Sequence, residues 1–120
     1  GGLRRLPAIN RRTNGKREGF DLDTKVEILK AKKLRADILE NLYNLYPQAV
    51  TVGTIRKLLR YKDYNPETEI RKAIYYLEGK GYIAFTGNEE EYWDSDIVLT
   101  PLGINLAEGD AEDVGVSLDA

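Results

Sequence analysis

The residues best placed to do chemistry are two cations, a hydroxyl and an aromatic ring: Arg71, Lys72, Thr68 and Tyr75. They fall within Asn65-Pro66-Glu67-Thr68-Glu69-Ile70-Arg71-Lys72-Ala73-Ile74-Tyr75-Tyr76-Leu77-Glu78-Gly79-Lys80-Gly81. There Ile70, Ala73, Ile74 and Leu77 recur at i, i+3, i+4 and i+7, the spacing of one buried helical face. Turning about 100° per residue from Ile70 puts Tyr75 near ~140°, Thr68 near ~160°, Lys72 near ~200° and Arg71 near ~100° on the flank. A face of this kind can hydrogen-bond base edges, pair with phosphates and lay a ring against a base methyl. An ordinary amphipathic helix with a solvated face carries the same pattern, and this stretch alone leaves the two readings level. A second cluster, Arg56, Lys57, Arg60 and Lys62, covers the outer side of a short apolar segment and suits phosphate contacts.

Other chemistries are excluded by composition. The chain has no histidine and no cysteine. Disulfides, thiol chemistry, a zinc site and a Ser-His-Asp triad are therefore ruled out. No nucleophile–base pair or phosphate loop is spaced as catalysis needs, so we expect no enzyme and no cofactor. Glu89, Glu90 and Glu91 could hold a divalent cation loosely, but the run reads first as a solvated loop. There is no apolar run long enough to span a bilayer, which sets a cytoplasmic expectation, nucleoid-associated if the protein binds DNA. Gly1-Gly2 stand where an initiator Met would, which reads as the start of an excised piece or as a cloning scar. The net charge of −2 hides a polarity: residues 1–62 carry fifteen Lys/Arg against six Asp/Glu, and residues 63–120 three against fourteen. A basic surface for nucleic acid beside an acidic remainder is one meaning of that split.

The elements that would position these residues follow from periodicity and punctuation. Residues 1–19 read as a flexible basic arm, broken by Gly and Pro and charged by Arg4, Arg5, Arg11, Arg12, Lys16 and Arg17. Such an arm could track phosphates or enter a minor groove. Phe20 to Tyr46 predicts one long helix or two consecutive ones, with Leu34, Ile38, Leu42 and Leu45 as its stripe, widened by Leu39 and Tyr46, and Pro47 as its stop. Its early part, residues 24–33, is the candidate element for a homodimer. A short strand at 49–51 leads to a helix with Val52, Ile55, Leu58 and Leu59 turned inward. Asn65 as cap and Pro66 as first helical residue open the helix 66–79, and Gly79 and Gly81 close it. A strand at 82–86 turns at Gly87-Asn88, and the return strand lies near Tyr92-Trp93 or at Ile97-Val98-Leu99. Thr100-Pro101 starts a last helix, Leu102 to Glu108. Residues 110–120 read as an acidic, disordered tail.

Helix, short strand, helix, helix, strand, turn, strand resembles a winged helix-turn-helix domain. "YLEGKGYI" looks like the end of its recognition helix running into the wing, and "IVLTPLGINLAEG" like its closing segment. The closing segment, extended to "LTPLGINLAEGDAEDVGV", is also similar to small winged-helix proteins of Mu-like phages. The resemblance spans roughly residues 34–109 and implies a mainly α fold, a three-helix bundle with a small antiparallel β-wing; we place that domain at residues 20–109, between the basic arm 1–19 and the tail 110–120. It also implies a DNA-binding transcriptional regulator that puts Thr68, Arg71, Lys72 and Tyr75 into the major groove of double-stranded DNA. Wings of this family usually bring basic residues to DNA, whereas this one carries Glu89–Glu91. That departure keeps a second reading open: a protein-binding module using wing 87–96 and the aromatics Tyr75, Tyr76, Tyr92 and Trp93.

Overall fold

Helix α1 (Leu22–Leu45) is followed by β1 (Val50–Thr51), α2 (Val52–Leu59), α3 (Glu67–Gly79), β2 (Ile83–Phe85), a 3-10 turn (Tyr92–Asp94), β3 (Asp96–Leu99) and α4 (Pro101–Ala107). The structure is a computed structural model and describes residues 22–59, 66–87 and 91–118. The chain divides into two units, Gly1–Lys30 and Ala31–Ala120. Of the first, only the opening of α1 is described; it exposes Leu22, Val26, Ile28 and Leu29.

In the second unit, helices α1 to α4 and the sheet contribute to one apolar core. α1 contributes Leu34, Ile38, Leu39 and Leu42, α2 Val52, Ile55 and Leu59, and α3 Ile70, Ala73, Ile74 and Leu77. Ile83, Ile97, Leu99, Leu106 and Val116 complete it. Three apolar residues expected inside lie at its edge: Leu45 and Tyr46, where α1 ends, and Leu58 on α2 are all exposed. A stripe read off a helix wheel is wider than the surface its neighbours can cover.

The sheet order is β1-β3-β2, antiparallel throughout. Ile83 pairs with Leu99, Ala84 with Val98 and Phe85 with Ile97, while Val50 crosses to Ile97 on the other edge of β3. The return strand is thus Asp96–Leu99, and Tyr92-Trp93 form the 3-10 turn before it. β1 adds a third strand to what would otherwise be an isolated hairpin, which is marginal in water.

Helix ends follow local chemistry with one change. Thr51 Oγ1 accepts the Thr54 N–H at 3.0 Å at the start of α2. Thr100 caps α4 by accepting from the Gly103 N–H, with Pro101 behind it. Pro66 is itself the cap of α3, extended at ψ 158°, and not its first helical residue; Asn65 lies outside the described residues. Glu67 and Glu69 occupy the first turn of α3, where negative charge complements the helix dipole. At the other end Gly81 takes φ 83°, the Gly81 N–H reaches Glu78 O and the Tyr82 N–H reaches Leu77 O. This left-handed ending is one that a side chain would strain. It turns the chain from α3 directly into β2.

The segment after α4 is not a free tail over its described part. The Asp113 side chain, 4% exposed, accepts from Tyr82 Oη at 2.6 Å, Tyr76 Oη at 2.8 Å and the Gly115 N–H at 2.7 Å, with Lys80 Nζ at 3.5 Å. Arg35 donates to Gly115 O at 2.9 Å, and Val116 is buried. A charge-rich composition suggested disorder, but one carboxylate met by two phenols, an amide and an ammonium fastens the segment to α3, and Val116 fills the core beneath it. Tyr76 accordingly packs toward this segment and under the Arg35 guanidinium, 4.2 Å from its ring centroid.

Candidate nucleic-acid interface

The outward face of α3 is placed as the helix wheel requires. Ile70, Ala73, Ile74 and Leu77 are buried, while Thr68, Arg71, Lys72 and Tyr75 are exposed, Tyr75 to 81%. α2 sets Arg56 and Lys57 on its own exposed side. Arg60 and Lys62 lie outside the described residues, as do Arg4, Arg5, Arg11, Arg12, Lys16 and Arg17.

Carboxylates share the surface with these cations. Arg56 Nη1 donates to Glu67 Oε2 at 2.9 Å, joining α2 to the first turn of α3. Lys72 Nζ stands 3.6 Å from Glu69 Oε2, one turn away. Both pairs are well exposed, so each is worth no more than about 1 kcal/mol and is open to exchange with a competing anion.

The wing supplies partners that sequence reasoning did not foresee. The Arg71 Cζ lies 4.2 Å from the Tyr92 ring centroid and 5.3 Å from that of Trp93. The Arg56 Cζ lies 5.2 Å from the same Trp93 centroid. Tyr92 meets Trp93 edge-on, centroids 5.2 Å apart at 88°, and Phe85 lies 6.2 Å from Tyr92. Burial pushes the Tyr92 phenol above its ordinary pKa, against the pull of Arg71 and with a smaller push from Glu78. No local periodicity links Arg71 to Tyr92; only the return of the wing across the start of α2 and α3 brings them together.

The four aromatics expected as one protein-binding patch do not form one. Tyr75 stands free, Tyr76 is hydrogen-bonded to Asp113, and Tyr92 and Trp93 are half-buried against arginines. Among the described residues no group of three or more His, Cys, Asp or Glu could hold a metal ion, and no helix is long and apolar enough to cross a membrane.

The order of elements, the three-stranded sheet with its wing and the exposed face of α3 define a winged helix-turn-helix fold. The chain matches no family model and no curated protein. Among solved structures it is similar to a crystal structure of a proline mutant of MepR from a multidrug-resistant S. aureus clinical isolate. The TM-score is 0.54 and the identity 19%, over 80% of this chain and 79% of that one. A likeness at this identity is one of fold, and it adds nothing to the similarity of the closing segment to Mu-like phage proteins.

Proposed function

We propose that the protein binds double-stranded DNA as a transcriptional regulator, presenting α3 to the major groove. The observation that carries this reading is the division of α3 into a fully buried apolar face and an opposite face of Thr68, Arg71, Lys72 and Tyr75. Arg56 and Lys57 on α2 would meet the phosphates beside the groove. The carboxylates Glu67 and Glu69 restrain non-specific attraction by sharing the charge of Arg56 and Lys72, which favours a matched site over bulk DNA. With about six phosphates neutralised, the log–log slope of affinity against salt is near −5.

The test is an amide chemical-shift titration with a random-sequence duplex at low and at moderate salt. Shifts at 56–57 and 68–75 that fade as salt rises support the reading. Retention of full affinity after charge reversal of both Arg71 and Lys72 would sink it. The alternative, a protein-binding module, loses its main support with the dispersal of the aromatics.

A further inference from the structure

Arg56 and Arg71 come from different helices, yet both guanidiniums lie over the Trp93 ring, and that of Arg71 lies over Tyr92 as well. Those rings are themselves fixed. Tyr92 is wedged between Phe85 and the edge of Trp93, and both Tyr92 and Trp93 pack against the core. The Val52 N–H donates to Ser95 O at 2.9 Å, tying the end of the 3-10 turn to the start of α2. The wing thus meets the two helices through aromatic faces.

We propose that Tyr92 and Trp93 are positioning residues for DNA binding: an aromatic floor that holds Arg71 and Arg56 in place before DNA arrives. The proposal rests on the DNA reading above. A guanidinium held over a ring by cation–π attraction still has N–H donors to spare among its five, so they stay available to fork onto a phosphate or a base edge. An unsupported arginine loses side-chain freedom on docking; a stacked one has already lost part of it, so association costs less. The floor gives the wing a role that needs no basic residue of its own. It acts through the arginines it holds.

The test is fluorescence anisotropy of a labelled random-sequence duplex at low salt, with a salt series and a thermal melt for each variant. Wild type, Tyr92→Phe, Tyr92→Leu, Arg71→Lys and the double variant Tyr92→Leu/Arg71→Lys are compared. Tyr92→Phe keeps the ring and binds like wild type. Tyr92→Leu and Arg71→Lys each weaken binding about two- to fivefold, the size of an exposed cation–π contact. Neither changes the salt slope, because no cation is removed. The double variant is no weaker than the weaker single one, since both changes remove one interaction. Losses that add in the double variant, or wild-type affinity in both single variants, overturn the proposal. If Tyr92→Leu loses its cooperative melt, the exposed Arg71→Lys decides alone, and unchanged affinity there overturns the floor. Failure of the DNA reading shows separately, as absence of salt-sensitive binding by wild type before any variant is made, and removes the floor with it.

Discussion

The Tyr82 hydroxyl donates to Asp113 Oδ2 at 2.6 Å, fastening the first residue after the α3 turn to the segment that follows α4. Burial by itself would raise the pKa of Asp113. The hydrogen bonds from Tyr82, the Gly115 N–H and Tyr76, with the charge of Lys80, outweigh it and hold the carboxyl at about 2. For Tyr82, burial first and then the bond to Asp113 push the phenol up to about 12.

These shifts fix the pH range of the clasp. The Asp113 pKa is depressed below its ordinary 3.8, so its contribution is complete above pH 4 and is lost as pH falls through about 2. A shift of that size at a nearly covered side chain corresponds to about 2 kcal/mol. The Tyr82 pKa is raised above its ordinary 10.0, so that contribution is complete below pH 10 and is lost as pH rises toward 12. Urea unfolding of wild type and Asp113→Asn across pH 2–7 should show a stability difference that is constant near neutrality and shrinks below pH 4. A difference that does not narrow at low pH would mean that the carboxylate's charge is not what holds the segment.

Gly115 lies against the same phenol. A Cβ at this position would overlap the Tyr76 hydroxyl, and Gly115 O already accepts from Arg35. Gly115→Ala must therefore move the segment or the ring, and the expected loss is about 1–3 kcal/mol. Amide exchange at the end of α3 should speed up with it; unchanged melting and exchange would show that the segment gives way freely.

Glu67→Gln separates stability from binding. It removes a charge from the first turn of α3 and loosens an exposed ion pair, at a combined cost of about 0.5–1 kcal/mol in thermal stability. It also frees Arg56 for phosphate. Duplex affinity should rise, and the salt slope should steepen by about 0.9. Unchanged affinity and slope would place Arg56 away from the DNA backbone.

Ile74 and Tyr75 are neighbours on α3 with opposite duties. Ile74 is 1% exposed and Tyr75 81%. Ile74→Ala should cost about 2–5 kcal/mol by leaving a cavity. Tyr75→Ala should change stability by less than about 0.5 kcal/mol and act on duplex affinity alone. Equal melts for the two variants would contradict the facing of α3.

Much of the fold was legible because its signals are local. The stripe Ile70, Ala73, Ile74 and Leu77 named the buried face of α3, and Gly81 marked the turn into β2. Thr100-Pro101 marked the start of α4. Propensity and capping act over a few residues, so a few residues suffice to read them. The acidic composition after α4 misled because it records average solvation and not the partners of one carboxylate. Asp113 escapes that average through donors from Tyr76 and Tyr82, far away in sequence.

By itself the sequence determined which helix face is buried, which is polar, and that histidine or cysteine chemistry is absent. It did so through side-chain type and period, properties each residue carries wherever the chain folds. Only the tertiary structure decided which side chains meet: Arg71 with Tyr92, Arg56 with Glu67 and Trp93, and Tyr82 with Asp113. Contacts of a few ångströms between residues remote along the chain depend on how the sheet and helices pack around the shared core. That packing is a property of the whole domain.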